Sequence, residues 1–137
     1  QLAPFAGRDI DISPVVLVCV DEDLDRARDL ARPWIAVYLG GMGAKGKNFY
    51  VETAERYGAG ESARQVQELF LAGDRAGAAA AVSDVLIDQT AISCRPAELD
   101  ERLAAYERAG ATTLLALPFG DRPRIVEALA SARGAAA

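Results

Sequence analysis

The most constraining feature of the chain is an apolar, β-branched run over residues 10–20, interrupted once by Ser13 and Pro14. Its last six residues, Val-Val-Leu-Val-Cys-Val, contain no polar position. A strand with one solvated face would alternate apolar and polar residues, whereas a strand buried on both faces reads as a continuous apolar run. The run therefore predicts a central strand of a parallel sheet covered by helices.

Two more strands are predicted, over residues 89–94 and 111–117, and most of the intervening sequence has helical periodicity. The order is strand, several helices, strand, helix, strand, helix. This order indicates an α/β protein with a parallel sheet and an enlarged connection after the first strand. Because three parallel strands leave both sheet edges unpaired, we expect further strands or an oligomer to cover them.

The helices are bounded by recognisable start and stop residues. Acidic residues 21–23 precede a helix from Leu24, and Pro33 either kinks this helix or begins a second one. Gly58, Gly73 and Gly110 are placed to end later helices. The remaining helices are predicted over residues 49–57, 60–72, 75–82, from Pro96, and 122–133, the last with Ile125, Val126 and Leu129 facing inward.

Length and charge restrict the class of protein. The 137 residues, 51% of them hydrophobic, suit one domain over residues 1–137, and the net charge of −5 disfavours nucleic acid as a partner. No apolar run approaches membrane-spanning length and no signal peptide is visible, so a cytoplasmic location without membrane association is predicted. With no histidine and two separated cysteines, no metal site and no Ser-His-Asp triad are predicted.

The beginning of the chain suggests a fragment. Its first residue is Gln1, and residues 1–7 resemble the end of an element whose beginning is missing. The alternative is a chain whose start was trimmed.

Residues 33–50 contain the glycines and lysines that resemble nucleotide-binding motifs. Residues 41–46 match G-x-G-x-x-G, and residues 41–48 differ from G-x-x-x-x-G-K-[ST] only at Asn48. Both motifs require a strand entering the loop, yet residues 34–39 directly follow a helical pattern. A surface loop between helices is the favoured interpretation, with a small phosphate-binding domain using residues 41–47 as an alternative.

The order of several segments resembles a known family. Residues 38–50 (YLGGMGAKGKNFY) are followed by QELFLAG at residues 67–73, LIDQTAI at 86–92, and RLAAY and AGATTLL at 102–115. This succession is similar to the C-terminal part of the luciferase-like monooxygenase superfamily, in its coenzyme F420-dependent branch. The resemblance implies the C-terminal portion of a (β/α)8 TIM barrel, comprising its last three β/α units with a helical insertion between the sixth and seventh strands.

The resemblance also implies where a site would lie. Barrel enzymes place it at the carboxyl ends of the strands, which here are residues 20–21, 93–95 and 117–119. Ser93, Cys94 and Arg95 are the implied cofactor-binding residues, although relatives usually carry glycine where Cys94 stands, which puts a phosphate role in doubt. No catalytic residue is assigned. The aromatic residues Trp34, Tyr38 and Tyr50 line a substrate or cofactor mouth or serve in packing.

The implied function is hydride transfer between the deazaflavin F420, or alternatively FMN, and a small organic substrate. In the family the earlier strands hold most of the cofactor, so this chain alone is expected to bind little or none and to be inactive. The expected partners are a small-molecule substrate and either further copies of the chain or the missing N-terminal half of the barrel. The alternative is a non-catalytic α/β module that oligomerises through its open sheet edges.

Overall fold

The computed structural model describes residues 10–134, except for the side chains of residues 133 and 134. The expectation for residues 1–7 lies outside this range. The elements, in chain order, are β1 (Val15–Val20), α1 (Leu24–Gly41), α2 (Phe49–Arg56), α3 (Gly60–Leu71), α4 (Arg75–Ala80), α5 (Asp84–Thr90), β2 (Ala91–Cys94), α6 (Leu99–Arg108), β3 (Leu115–Pro118) and α7 (Arg122–Gly134).

The three strands form one parallel sheet, and β1 is its middle strand. Leu17 of β1 is aligned with Ala91 of β2 and with Leu117 of β3. Residues 16–20 are all buried, as the apolar run predicts. The strand begins at Val15 rather than at residue 10 because Pro14, which has no N–H to donate to a ladder, comes directly before it.

Helices cover both faces of the sheet. On one face Leu17 and Cys19 belong to a core with buried residues of α1, α3, α4 and α5, and on the other Val18 belongs to a core with buried residues of α6 and α7. The predicted α/β architecture with three parallel strands, surrounding helices and a helical insertion is confirmed.

In a closed barrel, strands that are consecutive along the chain are also neighbours in the sheet. Here the order in the sheet is β2-β1-β3, so β2 and β3 are not neighbours. Three strands cannot close, so the face bearing Val16, Val18 and Val20 would be open to water without helices on it. The connection through α6 carries β3 to the far side of β1. Helices α6 and α7 then cover this second apolar face.

Helix α1 runs without a break through Pro33, so residues 34–39 are helical and no second helix begins there. The Asp23 side chain accepts hydrogen bonds from the N–H groups of Asp25 (3.0 Å) and Arg26 (3.4 Å) at its start. Ala27, Ala31, Ile35 and Leu39 form its buried stripe at a spacing of four residues. Pro33 lies on the exposed side of α1. The backbone carbonyl one turn earlier, which receives no N–H from Pro33, can therefore bond to water instead.

The glycine and lysine segment is a tight connection between α1 and α2. Lys47 N donates to Ala44 O (2.9 Å), and Gly46 adopts a φ of +78° that favours glycine. The buried Asn48 donates from Nδ2 to Leu39 O (2.6 Å) and accepts from the N–H of Tyr50 (2.9 Å). Because a helix rather than a strand enters this segment, the nucleotide-binding alternatives are wrong.

Most of the remaining sequence expectations agree with the structure, with three exceptions. Gly58, Gly73 and Gly110 follow helices with φ values of +82°, +88° and +94°, as helix-ending residues do. Residues 89 and 90, predicted as the start of the second strand, are helical in α5, and β3 begins at Leu115 rather than at residue 111. Val126 is exposed while its neighbour Ile125 is fully buried, since adjacent helix residues cannot share one narrow face.

Among the described residues, no helix is both long and apolar enough to cross a membrane.

Candidate functional site

The three predicted strand ends meet at one edge of the sheet, which we call the carboxyl edge. Asp21 N donates to Cys94 O (3.2 Å), and Phe119 N donates to Val18 O (2.9 Å). Parallel strands place their carboxyl ends together, so residues far apart in the chain become neighbours there.

Ser93 and Cys94 are buried within the carboxyl edge rather than presented to solvent. Burial raises the pKa of the Cys94 thiol to about 11, so the thiol is protonated at neutral pH and a poor nucleophile. Burial likewise raises the pKa of the adjacent-strand Cys19 thiol to about 11, although its contact with Ser93 partly offsets this. The Ser93 hydroxyl is buried beside the Cys19 thiol.

Arg95 is exposed, but the groups predicted to bind an anion are already in use. Its backbone N–H donates to Glu98 Oε2 (3.0 Å), and its guanidinium Nη1 donates to Glu98 Oε1 (3.2 Å). The hydrogen bond from the Arg95 backbone is the main reason why the pKa of Glu98 is lowered. A cofactor phosphate needs these same donors, so the turn after β2 in this arrangement does not fit one.

A second part of the carboxyl edge is a crevice of about 370 Å³ between the starts of α1 and α7. Its arginines are paired with its acids: Arg26 lies 3.5 Å from Asp21, and Arg124 lies 2.7 Å from Glu22. Asp121 also lines the crevice and accepts the N–H of Arg124 (3.2 Å). With three acids and two paired arginines, the crevice offers no free positive charge to a phosphate.

A larger cavity, of about 470 Å³, lies beside the sheet on the α1 side. We call it the aromatic cavity. Trp34, Tyr38 and Tyr50 all line it, with ring centroids 5.4 Å apart for Trp34 and Tyr38 and 5.0 Å apart for Tyr38 and Tyr50. The three aromatic residues chosen from the sequence are therefore brought together, and Phe119 extends the row to the carboxyl edge by packing 5.4 Å from Trp34.

The sequence did not indicate the rest of this cavity. Val15, Leu17 and Leu117 form its floor on the sheet, and Gln89 of α5 lies on its wall. The Gln89 amide nitrogen donates to the Tyr57 carbonyl (3.1 Å), which joins α5 to the end of α2. No local pattern marks these positions, because their proximity depends on how the helices pack.

Parallel strands with converging carboxyl ends and surrounding helices place this chain in the α/β class, and its likeness to a solved structure identifies the fold as that of part of a TIM barrel. The chain belongs to the luciferase-like monooxygenase family, whose model matches residues 1–113. The resemblance recognised from the order of segments is thus confirmed.

Two curated relatives carry related names. One, from Mycobacterium tuberculosis, is provisionally named a coenzyme F420-dependent oxidoreductase and is 30% identical over 107 residues, covering 78% of this chain and 31% of the relative. The other is the 5,10-methylenetetrahydromethanopterin reductase of Archaeoglobus fulgidus, 32% identical over 115 residues, covering 79% and 32%. The chain therefore spans about a third of the length of these relatives.

A solved structure agrees with the sequence comparison. The coenzyme F420-dependent tetrahydromethanopterin reductase from Methanopyrus kandleri superposes with a TM-score of 0.64 and 25% identity, over 85% of this chain and 32% of that one.

Proposed function

We propose that the chain acts as part of a coenzyme F420-dependent oxidoreductase that transfers hydride between the deazaflavin and a small organic substrate. The observation that carries the proposal is the family match over residues 1–113, together with F420-dependent names among the relatives. F420, when bound, supplies the redox chemistry, and the protein holds it and its substrate. FMN is the alternative cofactor.

The carboxyl edge is the part of this chain that is proposed to face the cofactor. Of the implied residues Ser93, Cys94 and Arg95, only Arg95 is exposed and is the proposed contact, and an anion at this turn would have to displace Glu98 from the Arg95 donors. The paired charges of the neighbouring crevice keep that part of the edge polar without attracting phosphate.

Titration of the purified chain with F420 and, separately, with FMN tests the proposal through the polarisation of cofactor fluorescence. Because the chain spans about a third of the length of its relatives, we expect weak but saturable binding of F420 that is tighter than that of FMN. No binding of either cofactor at high concentration contradicts a cofactor site on this chain. Tighter binding of FMN would assign the flavin instead.

Arg95→Gln locates the site, and Arg108→Gln is its matched control. Arg108 is also exposed and pairs with a carboxylate of its own helix, Glu101 (2.7 Å), but it lies at the far end of α6. A cofactor bound at the turn after β2 loses affinity only in Arg95→Gln. Equal affinity in both variants would place the cofactor elsewhere.

A second candidate function, a non-catalytic module that self-associates, is favoured by the open edges of the sheet. Both β2 and β3 are edge strands, and Leu115 of β3 is exposed. Unpaired strand edges pair readily with another chain. Light scattering at increasing concentration should then show oligomers that Leu115→Lys disperses, while Leu71→Lys, at an exposed leucine of α3, leaves them intact.

A further inference from the structure

We propose that the aromatic cavity binds an uncharged, planar ring compound that carries carbonyl oxygens. Its volume of about 470 Å³ falls within the range of about 300–1,000 Å³ that is usual for small-molecule sites. The cavity lies on the face of the sheet that α1 covers, away from the turn at Arg95. The inference holds whether or not the chain binds F420.

The shape of the cavity suits a flat ligand. Its floor is the smooth surface of two neighbouring strands, where Val15, Leu17 and Leu117 lie side by side. Trp34 and Tyr38 of α1 stand at one wall with their ring planes inclined by 46°, and the Tyr50 ring is nearly perpendicular to that of Tyr38, at 83°. A planar ring on this floor can meet aromatic faces and edges at once, which are the favoured arrangements for aromatic pairs.

The electrostatics of the cavity select against charge. No charged residue lines it in the part of the chain that the structure describes. An ionised ligand would lose its hydration without gaining a counter-charge, which is costly. The ligand that fits is therefore neutral.

The lining residues Trp34, Tyr38 and Tyr50 are partly exposed, and their polar atoms make no hydrogen bond to another described residue, so they are available to water or to a ligand. An indole N–H can only donate and a phenol donates readily, so a ligand that replaces water at these groups should supply acceptor atoms. Carbonyl oxygens at the rim of a planar ring meet this requirement.

An apolar helix from a second copy of the chain is a poorer occupant. Its side chains would bury the Trp34, Tyr38 and Tyr50 donors without replacing their bonds to water, which costs free energy for each group. The cavity is also walled by α1, α2 and α5, so it is a concavity rather than the flat face that a helix covers.

Coumarin, a neutral bicyclic lactone, is a suitable probe, and coumarin-3-carboxylate is its charged counterpart of nearly the same shape. Equilibrium dialysis against the full chain measures both affinities without an optical signal from the protein. We expect saturable binding of coumarin, and binding of the carboxylate that is weaker by about tenfold or more, because of the uncompensated charge. Equal affinities, or no coumarin binding up to its solubility, would overturn the proposal.

Val15→Phe fills the floor of the cavity from an exposed strand position, where an aromatic residue is well tolerated. Val126→Phe makes the same change at an exposed position of α7 that does not line the cavity. Coumarin binding should be lost in the first variant and unchanged in the second. Loss in both, or in neither, contradicts binding at this site.

Tyr38→Phe tests the hydrogen bond with little change in shape and does not depend on whether the larger side chain is accommodated. It should weaken coumarin binding by about fivefold, the typical value of one neutral hydrogen bond. If Tyr38→Phe binds coumarin as tightly as the wild type, the Tyr38 hydroxyl does not bond the ligand, and the proposed preference for carbonyl compounds is contradicted. If the chain self-associates and binds coumarin only after dilution, a second copy of the chain occupies the cavity, and the proposal of a small-molecule ligand is contradicted.

Discussion

Gly40→Ala should destabilise the protein, although replacing glycine by alanine within a helix normally has the opposite effect. Gly40 is a buried residue of α1, and a Cβ added there would overlap Cβ and Cγ of Phe70 on α3. These atoms lie next to the α3 backbone and cannot swing away. The two helices would therefore have to move apart.

The magnitude follows from two opposing terms. Alanine gains about 0.5–1 kcal/mol over glycine in a helix, whereas overpacking of this kind costs about 1–3 kcal/mol. The two terms leave a net loss of up to about 2.5 kcal/mol in the free energy of unfolding, and the direct overlap with Cβ and Cγ of Phe70 favours the upper part of this range. At Gly41 an added Cβ would lie 3.0 Å from Cε1 of Phe70, at the far edge of a ring that can rotate, so Gly41→Ala should be neutral or slightly stabilising.

Urea unfolding followed by the fluorescence of Trp34, the single tryptophan of the chain, measures both variants. A double mutant that combines Gly40→Ala with Phe70→Gly should be more stable than the sum of the single effects, because residue 70 then has neither Cβ nor Cγ to overlap. If Gly40→Ala is as stable as the wild type, or more stable, then glycine at position 40 is not required for the close approach of α1 and α3.

Three further outcomes are expected. Asn48→Ala should lower the free energy of unfolding by about 2–4 kcal/mol, because it removes the cap of α2 and leaves the buried carbonyl of Leu39 unpaired; a loss below about 1 kcal/mol in urea unfolding would contradict this. The lowered pKa of Glu98 means that its stabilisation is present above its ordinary pKa of 4.5 and is lost as the pH falls through the lower folded value. Glu98→Gln should therefore flatten the stability profile on the acid side, and an unchanged profile would dissociate Glu98 from that dependence. Cys19 and Cys94, buried and with pKa values of about 11, should be alkylated by iodoacetamide at neutral pH only as fast as the protein unfolds, so rapid labelling of the folded chain would refute their burial.

Most of the elements were predictable because their signals are local. The continuous apolar run marks β1 as a buried strand, and glycines able to adopt positive φ end three helices at the predicted places. The order of segments was enough to recognise the family. Pro33 could not be resolved in this way, because whether a proline ends a helix depends on which side of the helix it faces.

The candidate site was only partly predictable. The sequence selected Trp34, Tyr38 and Tyr50, and the fold brings them into one cavity, but nothing in the sequence placed Val15 and Leu117 beneath them. Such contacts form between segments that are distant along the chain and depend on how the helices settle on the sheet.

The sequence by itself thus determined the buried middle strand, most helix ends and the family, since each depends on patterns that neighbouring residues carry. Only the tertiary structure decided the strand order β2-β1-β3 and the use of the Arg95 donors by Glu98. It also decided that the glycines before residue 42 bring two helices together instead of cradling a phosphate. The physical reason is that packing must cover both faces of a three-stranded sheet and satisfy its buried polar groups, and several arrangements of the same local elements compete to do so.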